Sequence, residues 1–389
     1  MPATLVAVYL NRAARAADGL KTFVMVTTQQ KPKNPIVKPL NVQVNGIEIG
    51  CASGARVLDA VRDAGFDVPT LCYDERIGPQ GTCRLCLVDV VVDGKSQQVA
   101  ACTAFASDGM GVETHSDEIT QYRKTVLEML LSETSSPASC PKCESFKKCE
   151  LHTATEEYGA KWDAFPSLVP REKVDDGNPF IQRDYDLCIS CFRCTNICND
   201  WEQVGAITVE GRGQESSIAS FFENDLMKSP CTFCGQCINT CPTGALTDKK
   251  IVGKTKAENL ERTKTICPYC GVGCAVDIMT KGDRIVGIQP AMDGPANEGA
   301  LCVKGQFAFD FVHHPDRLKT PFVRNDHGQL VPASWDEALD KAAAGLLAAV
   351  NEHGRHSLYA VASGRAPNEA GFLMQKLVRA GLGTSYIDN

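Results

Sequence analysis

The chain has 389 residues, of which 43% are apolar and 22% charged, and its net charge is −7. This length allows roughly two to four domains. The negative charge argues against nucleic acid as the main partner. No apolar run reaches the length of about 20 residues that a membrane-spanning helix needs. Cysteine is unusually frequent, with 20 residues.

The spacing of the cysteines indicates metal sites rather than disulfides. Disulfides suit short secreted chains, whereas this chain is long and has no clear secretory signal. Cys-x-x-Cys recurs at positions 83/86, 140/143, 188/191/194, 231/234/237 and 267/270. Runs of three cysteines at this spacing direct their sulfur atoms at one centre, as metal and cluster sites require. We therefore expect reduced thiolates in a cytoplasmic protein.

Residues 1–38 differ from the rest in carrying six basic residues and a single acid, Asp18. A basic, acid-poor start is typical of a transit peptide. A disordered segment or a start codon assigned too early explains it equally well. We treat residues 1–38 as a flexible amino-terminal extension.

Residues 39–117 are expected to form a β-grasp domain. Two short strands meet at Asn45-Gly46, a strong hairpin signal, and residues 55–65 have helical spacing before a glycine stop. Four cysteines follow with C-x10-C-x2-C-x15-C spacing: Cys72, Cys83, Cys86 and Cys102. The module resembles the amino-terminal [2Fe–2S] domain of the large iron–sulfur subunit of respiratory complex I and its relatives among hydrogenases and formate dehydrogenases. Zinc is a weak alternative, because structural zinc loops usually use two tight pairs. Cys51 fits no site and is expected in the core.

Residues 118–165 are expected to be helical and to hold a three-cysteine site. An amphipathic helix at 121–133 precedes a C-x2-C-x5-C run: Cys140, Cys143 and Cys149. In the relatives just named, this segment binds a [4Fe–4S] cluster through three cysteines and a histidine, and that histidine position is Ser136 here. We predict His152 as the fourth ligand, because it lies one helical turn after Cys149. The alternatives for the fourth ligand are a serine oxygen and His115. Two further alternatives for the site are a labile three-iron cluster and a degenerate site without a cluster.

Residues 166–258 contain an internal repeat. The segments 188–198 and 231–241 both read C-x2-C-x2-C-x3-C, the run of two-cluster ferredoxins, in which the fourth cysteine of each run binds the cluster of the other. One [4Fe–4S] cluster is therefore expected at Cys188, Cys191, Cys194 and Cys241. The second is expected at Cys198, Cys231, Cys234 and Cys237. Structural zinc is a poor explanation, because a zinc site does not require the exchange of a cysteine between two runs.

Residues 259–318 contain a fifth site. CPYCGVGC has C-x2-C-x3-C spacing and a further cysteine follows, which gives Cys267, Cys270, Cys274 and Cys302. The spacing alone also fits a zinc ribbon. However, the stretch LCVKGQFAFDFVHHPDRLKTPFVR resembles the [4Fe–4S] segment of the molybdenum or tungsten bis-pterin oxidoreductases, above all formate dehydrogenases. In that family the lysine matching Lys304 lies between the cluster and one pterin and helps electrons to cross. We predict Lys304 as the catalytic and cofactor-binding residue, since a fixed ammonium lowers the electrostatic cost of moving charge through the gap.

Residues 319–389 are expected to begin an α/β pterin-binding domain. The segment 333–350 is helical, 357–363 is strand-like, and 368–383 is helical again, an order that favours a parallel sheet. The expected fold class is therefore α+β multidomain.

From about residue 39 onward, the order of modules resembles the amino-terminal part of the catalytic α subunit of NAD-dependent, multisubunit formate dehydrogenases. The resemblance implies oxidation of formate to carbon dioxide at molybdenum or tungsten held by two molybdopterin guanine dinucleotides. It also implies one [2Fe–2S] cluster, three to four [4Fe–4S] clusters and a flavin-containing, NADH-oxidising partner in a hetero-oligomer. The family's metal-ligating cysteine or selenocysteine lies beyond the "IDN" that ends this sequence. We therefore expect a fragment, a truncated gene model or a subunit completed by a second chain.

Three other kinds of protein share parts of this module order. A complex I large subunit shares the first two modules, but the paired ferredoxin runs argue against it. An iron-only hydrogenase shares the first three, but its catalytic domain would not contain CPYCGVGC and LCVKG. A non-catalytic electron-transfer subunit is a third alternative, which the sequence does not exclude.

Overall fold

The computed structural model describes residues 39–134, 140–146, 149–166, 173–174, 177–220, 225–253 and 260–389. The predicted flexible extension and Ser136 lie outside the described residues. Among the helices that are described, none is both long and apolar enough to cross a membrane.

The first module is a five-stranded mixed sheet covered by one helix. Its elements are β1 (Leu40–Val44), β2 (Ile47–Cys51), α1 (Val57–Asp63), β3 (Leu87–Val92), β4 (Lys95–Ala100) and β5 (Met110–Glu113). The order is β2-β1-β5-β3-β4, in which β1 and β5 are parallel and the other neighbours antiparallel, as in a β-grasp domain. The predicted hairpin is confirmed: Asn45 and Gly46 both have positive φ, the requirement of a tight type I′ turn. Cys51 is buried in this module's core, as predicted.

Three helices follow: α2 (Asp117–Ser132), α3 (Pro141–Phe146) and α4 (Glu150–Glu157). Helix α2 begins earlier than the apolar spacing predicted, because Ser116 caps it by accepting a hydrogen bond from the backbone N–H of Ile119. The fully buried Arg123 donates to the carbonyl of Leu87 at 2.8 Å and to the hydroxyl of Tyr158 at 3.1 Å. This side chain therefore fixes α2 between β3 and the end of α4.

The third module contains the repeated cysteine runs. Its elements are β6 (Lys173–Val174), β7 (Ile181–Asp184), α5 (Arg193–Asn196), β8 (Ile207–Glu210), β9 (Ser217–Ser220), α6 (Gln236–Thr240) and β10 (Leu246–Asp248). Strands β10, β7 and β6 form one sheet, and β8 and β9 a hairpin. Equivalent positions of the two runs share a positive φ: Ser190 with Phe233, and Phe192 with Gly235. The sequence repeat is therefore also a repeat of backbone conformation.

The fourth module is an antiparallel sheet of β11 (Glu261–Ile266), β12 (Ala275–Lys281) and β13 (Arg284–Pro290), followed by the short helix α7 (Val303–Phe307). The last segment contains β14 (Phe322–Arg324), β15 (Leu330–Pro332), α8 (Trp335–His353), β16 (Ala360–Val361), α9 (Asn368–Lys376) and β17 (Ile387–Asp388).

The predicted parallel pairing in the last segment is observed between β16 and β17. The predicted strand at 357–363 is reduced to two residues, because a 3-10 turn occupies Arg355–Ser357 and only β17 pairs with β16. The predicted helix at 368–383 changes to π-helix after Lys376. Between residues 311 and 389, all of which are described, only Val378 and Thr384 are buried.

Candidate metal centres

The cysteines are gathered into groups rather than paired in disulfides. All twenty lie within the described residues, and none forms a disulfide. All but Cys51 fall into the five groups that the sequence predicted. Nearly all of the grouped thiols are buried or half-buried, and Cys270 and Cys302 are exposed.

Three cysteines of the first group lie in the loop between α1 and β3, and the fourth, Cys102, lies just after β4. Side-chain hydrogen bonds join Cys72 to Cys83 and Cys102, and join Cys86 to Cys102. The bond from Cys102 lowers the pKa of Cys72, and the same type of bond lowers that of Cys86 to about 7. The four thiols are buried in contact with one another, which fits a compact two-iron site.

The three-cysteine group lies at the start of α3 and α4. The Sγ atoms of Cys140, Cys143 and Cys149 all lie within 4.8 Å of one another. They line a small cavity together with His152. Gly244 closes the cavity from the third module, because a Cβ there would come within 2.7 Å of the Cys140 sulfur. Sequence reasoning missed Gly244, whose only signal was its place next to the second cysteine run.

His152 faces this group along α4. Its Nδ1 lies 3.5 Å from the Cys143 sulfur, and its Nε2 lies 3.5 Å from Oε1 of Glu156, one turn further on. His115, the other histidine considered, hydrogen-bonds to Thr114 in the first module and does not line the cavity. The geometry therefore brings His152 to the cysteines, with Nδ1 toward them and Nε2 toward a carboxylate.

The two ferredoxin runs enclose two separate cavities. One small cavity is lined by Cys188, Cys191, Cys194 and Cys241. The other small cavity is lined by Cys198, Cys231, Cys234 and Cys237. The structure thus brings together the sets expected from exchange of the fourth cysteine. Burial and neighbouring cysteines raise the pKa of Cys194 and Cys237 well above the ordinary thiol value. Thiolates here require a compensating cation, and cluster iron supplies one.

The fifth group is more open. The backbone N–H of Cys267 donates to the carbonyl of Cys274 at 2.8 Å, and Cys302 occupies the N-cap of α7. Burial raises the pKa of Cys267, with smaller contributions from Cys302 and Cys270. Lys304 is exposed on α7, two residues after Cys302.

The modules share an interior that sequence reasoning did not predict. One continuous apolar cluster takes residues from the first three modules: Leu71, Cys72, Cys83, Leu85, Leu127, Leu131, Cys140, Cys149, Leu151, Ala154, Ile189 and Cys191. The hydroxyl of Thr82 also donates to the carbonyl of Cys191 at 3.4 Å. Three of the cysteine groups therefore border one buried apolar region of the protein.

Four family models match successive segments of the chain. They describe a 2Fe–2S iron–sulfur cluster binding domain at residues 37–117, the ferredoxin-like domain of NADH-quinone oxidoreductase subunit 3 at 178–247, a molybdopterin oxidoreductase Fe4S4 domain at 260–314 and molybdopterin oxidoreductase at 317–389. The chain is therefore similar, segment by segment, to iron–sulfur domains followed by the start of a molybdopterin oxidoreductase domain. No part of the three-cysteine segment between residues 118 and 165 falls within these four matches.

The chain is also similar to curated oxidoreductases and oxidoreductase subunits. It is 31% identical over 350 residues to the NADPH-Fe(3+) oxidoreductase subunit alpha of Geobacter sulfurreducens. It is 34% identical over 365 residues to an NADH-quinone oxidoreductase subunit of Rhizobium meliloti. It is 30% identical over 392 residues to a Staphylococcus haemolyticus protein named "Putative formate dehydrogenase". Each alignment covers 90% of this chain, and the chain spans 39–40% of the length of these relatives.

Solved structures match as well, and one of them illustrates the extent of the similarity. A chain of an NAD+-reducing [NiFe]-hydrogenase has a TM-score of 0.49 and 28% sequence identity, over 56% of this chain and 90% of that chain.

Proposed function

We propose that the chain is the iron–sulfur portion of a formate dehydrogenase α subunit. It would pass electrons from a pterin-held molybdenum or tungsten centre toward NAD through a flavin-containing partner subunit in a hetero-oligomer. The observation that carries the proposal is the series of five cysteine groups, which leads from the first module to the segment that matches molybdopterin oxidoreductase.

The proposal assigns one [2Fe–2S] cluster to the group at Cys72 and a [4Fe–4S] cluster to each of the other four. Such clusters, when bound, accept and release single electrons. The protein supplies the thiolates and excludes water from between the groups. The shared apolar cluster supports this role, because sulfur ligands from three groups lie within it. Solvent exposure and hydrogen bonds to sulfur are among the properties that set cluster potentials.

The three-cysteine group is proposed to use His152 as its fourth ligand. Its distance to Cys143 and its place on the cavity wall support this assignment. The carboxylate of Glu156 near Nε2 is the arrangement that fixes the tautomer of a metal-binding histidine.

Lys304 is proposed to face the pterin. Its ammonium is on the exposed part of α7, whereas Gly305, Gln306 and Phe307 are buried against the rest of the chain. A cation on that outer face would lower the cost of charge movement between the fifth group and an anionic pterin.

Formate as the substrate rests on the sequence resemblance in LCVKG and the residues after it, and on the staphylococcal relative named for that activity. A second candidate is electron transfer without formate chemistry, which the name of the Geobacter relative favours. In that case the chain would take electrons from a nicotinamide-oxidising partner and pass them to an acceptor such as the Fe(3+) in that relative's name.

Metal analysis tests the proposed electron-transfer role first. Anaerobically reconstituted protein should hold about 18 irons if all five groups are filled, or about 14 if the three-cysteine group is empty. Stoichiometric zinc with little iron would overturn the proposal. The complex purified from its native source then separates the two candidates, because only a formate dehydrogenase reduces its clusters with formate as well as with NADH.

A further inference from the structure

A glutamine on α7 joins the fifth cysteine group to the third module. Gln306 is almost fully buried, at 1% exposure. Its Nε2 donates to the carbonyl of Ile288 on β13 at 2.8 Å, and its Oε1 accepts from Nδ2 of Asn239 on α6 at 3.0 Å. Its backbone N–H also donates to the carbonyl of Cys302 at 3.0 Å.

The other end of this contact lies inside the second ferredoxin run. Asn239 stands between Cys237 and Cys241 in the chain, and Gly235 stands between Cys234 and Cys237. Gly235 has a φ of +79°, and a Cβ there would lie 2.8 Å from Cγ of Gln306. The glutamine thus packs directly onto the backbone of the run, at a position where only glycine leaves room.

The next residue extends the same contact. Phe307 is fully buried and stacks on Phe180 with ring centroids 4.7 Å apart. Phe307 belongs to the apolar cluster that includes Cys194 and Cys241, and Phe180, Cys231 and Cys237 pack against this cluster. One short helix therefore carries a ligand of the fifth group at its start and reaches the wall of the ferredoxin cavities at its end.

We propose that Gln306 is a positioning residue that holds the fifth group in electronic contact with the group at Cys198, Cys231, Cys234 and Cys237. The proposal rests on the clusters assigned under the proposed function. One electron would leave the fifth group, which is oxidised, and arrive at the second ferredoxin group, which is reduced. No bond forms or breaks, and no proton moves. The route follows two hydrogen bonds, from the Cys302 carbonyl to Gln306 and from Gln306 to Asn239.

The full chain, loaded with iron and sulfide, provides the test. Gln306→Leu removes both side-chain hydrogen bonds at similar volume, and Gln306→Glu keeps the acceptor for Asn239. Gln97→Leu, on the exposed surface of β4, is the matched control. Iron per chain is measured first, followed by electron paramagnetic relaxation of the dithionite-reduced clusters. The redistribution of a single electron supplied by a flash-activated photoreductant is then followed with time.

For Gln306→Leu we expect unchanged iron, weaker magnetic interaction between the fifth group and its neighbour, and redistribution slower by about tenfold. Gln306→Glu should lie between this variant and wild type, and Gln97→Leu should equal wild type. The inference is wrong if Gln306→Leu protein with full iron content shows the same paramagnetic relaxation and the same rate of electron redistribution as wild type. If Gln306→Leu loses iron, the same two measurements on Asn239→Ala decide whether the inference holds. Wild-type protein that takes up no iron would instead overturn the proposed function itself, and this inference with it.

Discussion

The guanidinium of Arg76 donates a hydrogen bond to Oε1 of Gln236 at 2.8 Å, although 160 residues separate them in the chain. The same guanidinium forms a two-pronged ion pair with Asp74, at 2.9 and 2.7 Å, and also reaches the carbonyl of Gly299 at 3.3 Å. Arg76 therefore contacts the first, third and fourth modules at once. A planar guanidinium is suited to this role because it offers several donors in a fixed geometry.

Replacing Arg76 by Met should destabilise the chain strongly. The side chains of Arg76 and Asp74 are only 6% and 11% exposed, so the variant leaves a buried carboxylate without its partner. We expect the free energy of unfolding to fall by roughly 3–5 kcal/mol, measured by urea unfolding. Arg62→Met is the control: its partner Glu75 is 82% exposed, and the loss should stay within about 1 kcal/mol. Equal losses in the two variants would contradict the assigned role of Arg76.

The Asp74 carboxylate predicts a specific pH dependence. Burial raises its pKa, but hydrogen bonds from Arg76 and Thr240 and the charge of Arg76 outweigh burial and lower the pKa to about 2. An aspartate in the unfolded chain has a pKa of about 3.9. The carboxylate therefore stabilises the folded chain above about pH 4, and this contribution is lost as the pH falls to about 2.

This dependence can be measured as the difference in unfolding free energy between wild type and Asp74→Asn. The difference should be constant above about pH 5 and should shrink between about pH 4 and pH 2. Urea unfolding followed by tryptophan fluorescence gives the values. A difference that does not change over the acidic range would show that Asp74 is not held ionised by its neighbours.

Replacing His152 by Ala should remove one cluster from the reduced paramagnetic spectrum and about four irons per chain. The reason is the 3.5 Å approach of Nδ1 to Cys143 on the wall of the three-cysteine cavity. His115→Ala is the matched control and should leave spectrum and iron unchanged. If His152→Ala also retains the full spectrum, the fourth ligand is another atom.

Lys304→Ala in the complete enzyme should slow the reduction of the clusters by formate and leave their reduction by NADH nearly intact. The exposed ammonium lies on the pterin-facing side of the fifth group in our proposal, so only the formate-driven route crosses it. Lys304→Arg keeps the charge and changes the shape, and should give an intermediate rate. Stopped-flow absorbance measures both routes. Equal loss of both would indicate a folding defect.

After residue 38, limited proteolysis should first cut within the last 70 or so residues. Helices α8 and α9 contain no buried residue, and apolar side chains such as Trp335, Val361 and Phe372 are 66–68% exposed. A layer that does not bury its face opens readily. Mass spectrometry should find an iron-containing core that ends near residue 310. First cuts inside residues 177–253 would contradict this expectation.

Most of the fold could be predicted from local signals in the sequence. Asn45-Gly46 specified its hairpin because both residues tolerate a positive φ. Cysteine spacing predicted the sets around the two ferredoxin cavities, because each run bends its own backbone around a centre. The apolar spacing predicted the start of α2 too late in the sequence, because the helix begins at its Ser116 cap.

Contacts between modules could not be predicted in the same way. Nothing near Arg76 in the sequence indicates Gln236 as its partner, and nothing near Gly244 indicates the sulfur of Cys140. His152 was chosen by helical spacing, and its approach to Cys143 depends on how α3 and α4 meet. The strand predicted at 357–363 was too long because apolar residues favour a strand only where a layer covers them.

The apolar cluster that joins Leu71, Leu127 and Ile189 has a consequence for how the protein matures. Leu71 belongs to the first module, Leu127 to the helical segment and Ile189 to the third module, so no single module completes this interior alone. Cysteines of three groups also lie in it, and iron insertion into any one of them helps to order the surroundings of the others. Under iron scarcity, these three groups should therefore tend to fill together, independently of the two groups that lie outside this interior.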